Sequence, residues 1–306
     1  MKKLLPLTAL LLSLMLPISA LAETVVTSFF PIYVFALNLT QDLPDVEVVS
    51  LAPPSAGCLH DYQLQTSDMK ALSQADVFLI NGAGMESYLT HVFEAFPELP
   101  VVDASVGVTL LESCLEHDHD HGEDAETDDG HHHETNAHIW LDAENAILMV
   151  ENLAEGLMAQ LPRHADAIAA NRDTYIARLS ALDAELLNAL AGLPHSDVIT
   201  FHEAFPYFAN AYGLHVAAVL NHEPEDALSP RTLAELCITV QELGNPPLFI
   251  EPQYEDTAAR TVSRETGAPV YVLDPIVTGP EGDVPLTWYE DVMRQNLAVL
   301  LDALGE

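Results

Sequence analysis

Between Glu116 and His138 the chain reads EHDHDHGEDAETDDGHHHETNAH, histidines alternating with carboxylates and almost nothing apolar. His117, His119, His121, His131, His132 and His133 lie inside this block, six of the fourteen histidines in the chain. Imidazole and carboxylate together are donors for a borderline cation such as Zn²⁺. A segment this polar buries too little apolar surface to offset the entropy of ordering it, so a mobile loop is expected. A mobile ligand-rich loop makes many weak geometries and no single good one. Its six histidines are therefore expected to be accessory donors, and the specific site has to sit on a more rigid scaffold.

That scaffold is legible in the alternation of short β-branched runs with helical patterns, which signals parallel α/β units. In the first half, residues 24–29, 46–51, 77–81 and 101–103 read as strands, with helices at 32–39, 66–75 and 85–95. In the second half, 197–201, 215–219, 248–251 and 270–273 read as strands, with helices at 203–212, 230–243 and 256–266. The stretch between them is helical with no strand signal, over 143–161 and 162–190. Pro162 is tolerated in a first helical turn, and Ile176, Leu179, Leu182, Leu186 and Leu190 fall on one apolar face. The expected fold is α/β: two lobes, each with a roughly four-stranded, mostly parallel sheet flanked by helices, joined by one long rigid helix. The expected boundaries are a signal peptide over 1–22, an N-terminal lobe over 23–161 that includes the acidic loop 115–137, a linking helix over 162–192 and a C-terminal lobe over 193–306.

Open parallel sheets bind ligands beyond the carboxyl ends of their strands. Few chemistry-bearing residues stand there: His60 after the second strand, His202 directly after 197–201, and Asp274 directly after 270–273. His138 marks the end of the acidic block, where the helical middle begins. Each has a bland alternative, since a histidine at a strand end is commonly a hydrogen-bonded core residue or cap and Asp274 before Pro275 suits a turn. Together they form an N₃O set for tetrahedral Zn²⁺, two donors from each half, which places the ion in the cleft between the lobes.

Lys2 and Lys3 precede an apolar run to about Ile18, and Ala20-Leu21-Ala22 supplies small residues for cleavage after Ala22. This reads as a secretory signal peptide: the run is short for a membrane span and Pro17 interrupts it. Export to the periplasm as a soluble protein is expected. Ten basic and 47 acidic residues give the chain a formal charge of −37; removing Lys2 and Lys3 takes it to −39. Nucleic acid is excluded as a partner on that ground, and cations are favoured. Of the three cysteines, Cys58 and Cys114 are the preferred disulfide pair, and Cys237, in an apolar helical pattern, is expected to be a buried free thiol.

The segments TVVTSFFPIY, HDYQLQTSDMKALSQADVFLINGAGMESYL, NAHIWLDAENA, TFHEAFPYFANAYGL, EPQYEDTAARTVSRETGAPVYVLDP and MRQNLAVLLDAL follow one another over essentially the whole mature chain. In order and spacing they resemble the periplasmic substrate-binding proteins of zinc and manganese ABC transporters. The resemblance implies two α/β lobes linked by one long helix, metal ligands at His60, His138, His202 and Asp274, and delivery of the cargo to a membrane permease by a monomer. It favours zinc, because zinc-type members carry histidine at the third ligand position where manganese-type members carry glutamate, and an imidazole is the softer donor. An acidic histidine loop at this place is also a zinc-type feature. Some zinc-type members have glutamate just before the first ligand, where this chain has Leu59, which leaves Asp274 as the oxygen donor. Asp61, Asp142 and Glu203 are neighbours of ligands that could orient them. His91, His164, His195, His215 and His222 read as surface or packing residues. The competing functions are a zinc hydrolase with Asp274 as general base, or a metal-binding adhesin or zinc buffer on the same fold. Neither HExxH nor GxSxG occurs, so an enzyme is not expected.

Overall fold

Two parallel sheets of identical topology organise the chain. The computed structural model describes residues 22–57, 59, 62–113, 135–220, 229–280 and 282–305. The first sheet contains β1 (Glu23–Thr27), β2 (Val46–Ser50), β3 (Val77–Ile80) and β4 (Val101–Asp103) in the order β2-β1-β3-β4. The second contains β5 (Asp197–Thr200), β6 (His215–Val219), β7 (Leu248–Ile250) and β8 (Val270–Val272) in the order β6-β5-β7-β8. Every pairing is parallel, from Val26↔Phe78 in the first sheet to Phe249↔Tyr271 in the second. In both sheets the winding reverses next to the first strand, between β1 and β3 and between β5 and β7. Such a reversal opens a crevice at the strand ends. The α/β expectation, with four strands in each lobe, matches the structure.

Helices α1 (Phe30–Leu39), α2 (Thr66–Leu72) and α3 (Leu89–Ala95) connect the first sheet, and α6 (Pro206–Tyr212), α7 (Pro230–Glu242) and α8 (Thr257–Thr266) the second. Between the sheets, α4 (Ala143–Gln160) turns back through a single 3₁₀ turn, Pro162–His164, into α5 (Ala165–Leu190). Asp142 caps α4 through the Glu144 N–H at 2.9 Å. The α-helix starts at Ala165 rather than at Pro162, because Pro162–His164 wind more tightly. At 26 residues α5 is about 39 Å long. It buries Ile168, Tyr175, Leu179, Leu182, Leu186 and Leu190 along one stripe, as the leucine spacing requires.

A last helix, α9 (Trp288–Leu304), was not read from the sequence as an element of its own. It packs against α5, and its first turn reaches α1 of the other lobe: the Phe35 ring meets Tyr289 at 5.4 Å and Phe30 meets Trp288 at 6.3 Å. One buried apolar cluster therefore runs through both lobes, with a smaller one on the far face of the second sheet. Cys237 is half-buried, not buried as expected, because α7 sends only Val240 fully into that smaller cluster. Cys58 and Cys114 lie outside the described residues, as do residues 1–21 of the expected signal peptide 1–22. Among the described residues no helix is long and apolar enough to cross a membrane.

Candidate metal centre

His202 emerges where β5 ends, and Glu251 where β7 ends, on the two sides of the reversal in the second sheet. Both side chains are almost fully buried. His202 Nδ1 lies 2.8 Å from Glu251 Oε1, and Gln253 Nε2 donates to the other Glu251 oxygen. A carboxylate only accepts, so Nδ1 carries the hydrogen and Nε2 keeps a lone pair. The Tyr254 ring stands edge-on to the imidazole at 6.1 Å.

His138 precedes a 3₁₀ turn, Ile139–Leu141, that leads into the capped start of α4. It is 2% exposed, and its Nδ1 lies 3.1 Å from Asn136 Oδ1. The His138 and His202 rings meet at 5.0 Å between centroids and 77° between planes. Two imidazoles bound to one ion at about 2.0–2.1 Å have their ring centres about 5 Å apart. The two rings thus already stand at the separation that a shared metal would require.

Asp274 follows β8 and is half-buried. Asn296 on α9 grips its backbone, accepting from the Asp274 N–H at 2.9 Å and donating to its carbonyl at 2.7 Å. Asp274 Oδ1 accepts the Ile276 N–H at 2.7 Å, which is the turn-forming role open to an aspartate before proline. The turn forces Ile276 to φ 64°, a left-handed conformation that a β-branched residue adopts only when its surroundings impose it. The Trp140 indole donates to the Pro275 carbonyl at 2.7 Å and so ties this turn to the His138 segment. Burial raises the Asp274 carboxyl above its ordinary pKa, and the Glu251 charge adds to the effect. Two carboxylates that disfavour each other's charge are an environment that favours a cation.

His60 and its neighbour Asp61 lie outside the described residues, as do His117, His119, His121, His131, His132 and His133. Among the described residues no group of three or more His, Cys, Asp or Glu side chains is assembled around a common point. The structure brings together His138 and His202, with Asp274 near enough to Glu251 to feel its charge. The stems of the acidic segment meet in an antiparallel bridge, Glu112↔Thr135, one residue before Asn136. His91, His195 and His215 are exposed and His164 is half-buried; His222 lies outside the described residues.

Of the sequence neighbours named above, Asp61 lies outside the described residues, and Asp142 and Glu203 make other contacts. Asp142 caps α4, and burial pushes its carboxyl up to about 6. Glu203 accepts the Ser113 hydroxyl at 2.7 Å. Glu251 and Asn136 face the Nδ1 atoms of the two imidazoles, and of these Glu251 could have been found by applying the strand-end rule to carboxylates as well as to histidines.

The profile of a family described as zinc-uptake complex component A, periplasmic (ZnuA), matches residues 25–303. The zinc-binding protein AdcA of Streptococcus pyogenes serotype M3 is 30% identical over 285 residues, 90% of this chain and 55% of AdcA. The chain thus spans about half the length of that relative. The high-affinity zinc uptake system protein ZnuA of Bacillus subtilis is 30% identical over 284 residues, 92% of this chain and 87% of the relative. A crystal structure of ZnuA superposes with a TM-score of 0.76 at 26% identity, covering 92% of this chain and 99% of that one.

Proposed function

The chain belongs to the periplasmic component A family of zinc-uptake complexes, and from that premise we propose that it captures extracytoplasmic Zn²⁺ between its lobes and delivers it to the permease of an ABC transporter. The observation that carries this is the meeting of two buried imidazoles, 5.0 Å apart, each with Nδ1 held by a hydrogen-bond partner. Both then present Nε2 to the same space. His60 supplies the third nitrogen and Asp274 the oxygen, closing a four-donor site. Such a site leaves no position for a reacting water, so the protein binds and releases without catalysis.

Zinc is the cargo, drawn by three imidazoles over the oxygen-richer sets that suit Mn²⁺. The domain plan is a signal peptide removed after Ala22, lobes over 23–161 and 193–306, and a linking helix over 162–192, acting as a periplasmic monomer. The loop histidines His117, His119, His121, His131, His132 and His133 gather zinc weakly beside the cleft, and the Glu112↔Thr135 bridge that closes the loop supports this by fixing its stems next to Asn136.

The test is zinc titration of chelator-stripped protein in competition with a chromogenic chelator. His202→Ala is expected to abolish the tight site while leaving weak loop binding, and wild-type affinity should fall as pH drops through about 6.5 because protons compete for imidazole. Tight binding that survives His202→Ala, or an affinity flat between pH 7.5 and 5.5, would overturn the reading.

A further inference from the structure

Asn136 is 4% exposed and belongs to neither sheet, yet every polar group it carries is engaged. Its N–H donates to the Leu111 carbonyl at 2.9 Å, and its carbonyl accepts the Tyr207 hydroxyl at 2.9 Å. Its side-chain oxygen accepts the His138 backbone N–H at 2.9 Å, and its side-chain nitrogen donates to the Glu203 carbonyl at 2.8 Å. The partners of the amide are single-purpose: a backbone N–H can only donate and a carbonyl can only accept. Reversing the amide would set N–H against N–H and C=O against C=O, so only one orientation is allowed.

That orientation has a consequence for the imidazole. The oxygen that takes the His138 backbone N–H also lies 3.1 Å from His138 Nδ1. An oxygen cannot donate, so Nδ1 must carry the hydrogen and the lone pair falls on Nε2. The same amide, through Glu203, grips the residue that follows His202, where β5 ends in the other lobe. On the other flank the Asn81 side chain donates to the Ala137 carbonyl at 3.0 Å, which leaves the His138 segment little freedom to turn.

We propose that Asn136 is a positioning residue for metal capture, its one side-chain amide selecting the Nε2-donor tautomer of His138 and fixing the spacing between the His138 and His202 segments. The proposal rests on the reading of both histidines as zinc donors. It differs in kind from the support given to His202: the Glu251 carboxylate joins the ring to Gln253 within the same lobe, whereas Asn136 holds the ring and the opposite lobe at once.

The experiment compares wild type, Asn136→Ala and Asn136→Asp, all metal-free, by ¹⁵N chemical shifts of the His138 ring and by Zn²⁺ affinity. Wild type should show hydrogen on Nδ1. Asn136→Ala should populate the other tautomer and bind Zn²⁺ about ten- to a hundredfold more weakly. Asn136→Asp keeps an acceptor for the ring but sets an oxygen against the Glu203 carbonyl. It should restore the tautomer without restoring the affinity, which separates the two roles and does not depend on the alanine variant folding. A His138 tautomer unchanged in Asn136→Ala, or wild-type affinity in either variant, would overturn the proposal. Tight binding retained in His138→Ala and His202→Ala would instead overturn the site itself.

Discussion

At the scale of single residues, the two imidazoles that meet are supported by unlike partners. His202 backs onto a buried carboxylate and His138 onto a neutral amide. A carboxylate behind an imidazole raises its basicity and its strength as a ligand, so His202 should contribute more than His138. Glu251→Gln keeps the volume and one acceptor but removes the charge. It should weaken zinc binding about tenfold in a chelator-competition titration, and an unchanged affinity would show that only the shape of Glu251 matters. The proposed donors were easier to read from the sequence than their supports. His202 and Asp274 each stand immediately after a β-branched run, and their types announce a metal. Asn136 stands two residues before His138, but its hold on Glu203 spans 67 residues, which no local pattern encodes. Glu251 reaches His202 across 49 residues, visible only once β5 and β7 are known to be neighbours.

At the scale of elements, the strands were legible to within a residue or two because each is a short run rich in apolar or β-branched residues: β1, β3, β5 and β7 fill the sheet centres, and β2, β4, β6 and β8 form their less buried edges. Helix starts were less so, and α3 shows why. An apolar pattern predicts a helix over 85–95, but the helix begins at Leu89. The preceding loop has Gly82, Ala83 and Gly84 all at positive φ, and Glu86 folds back to accept the Asn81 and Gly82 N–H groups at 2.7 and 3.1 Å. This side chain replaces a helical turn with a clamp, and the clamped Asn81 in turn holds Ala137 beside His138. Burial is the main influence on the Glu86 carboxyl and pushes it up to about 7 against the opposing pull of its hydrogen bonds. A carboxyl raised in the folded state stabilises fully below its unfolded value and loses that contribution as pH rises through about 7. The stability of wild type relative to Glu86→Gln should therefore fall by roughly 2 kcal/mol between pH 5.5 and 7.5, read from urea unfolding of the metal-free protein. A difference that stays constant with pH would mean that Glu86 is ionised throughout.

At the scale of the whole molecule, the lobes are less separate than the sequence suggests. The two blocks of alternating strands and helices read as two units with a strut between them, and the role of the C-terminal segment is hidden because α9 carries no strand to announce it. In the structure α9 leaves the second lobe and packs its first turn on the first lobe, where Glu290 meets Arg178 of α5 with Nε and Oε1 2.9 Å apart. Arg178 also donates to the Asn38 side chain and, at 3.0 Å, to the Leu286 carbonyl, and it lies over the Tyr175 ring at 4.8 Å. One guanidinium thus joins α1, α5 and the entry to α9 around a carboxylate whose side chain is only 3% exposed. A core continuous through both lobes should melt as one unit, so calorimetry of the metal-free protein is expected to show a single transition. Arg178→Met would leave Glu290 buried without its counter-charge, at a cost of about 3 kcal/mol and a fall in Tm of about 5 °C or more. Adding Glu290→Gln to that variant removes the stranded charge and should recover most of the loss. Because Arg178 and Glu290 work at the junction of α1, α5 and α9 rather than among the proposed donors, zinc should raise the Tm of all three proteins by the same increment, as binding to the folded state alone requires. Two separated transitions in wild type would show that the lobes unfold independently, and a zinc increment that shrinks with Arg178→Met would show that this junction sets the geometry of the cleft.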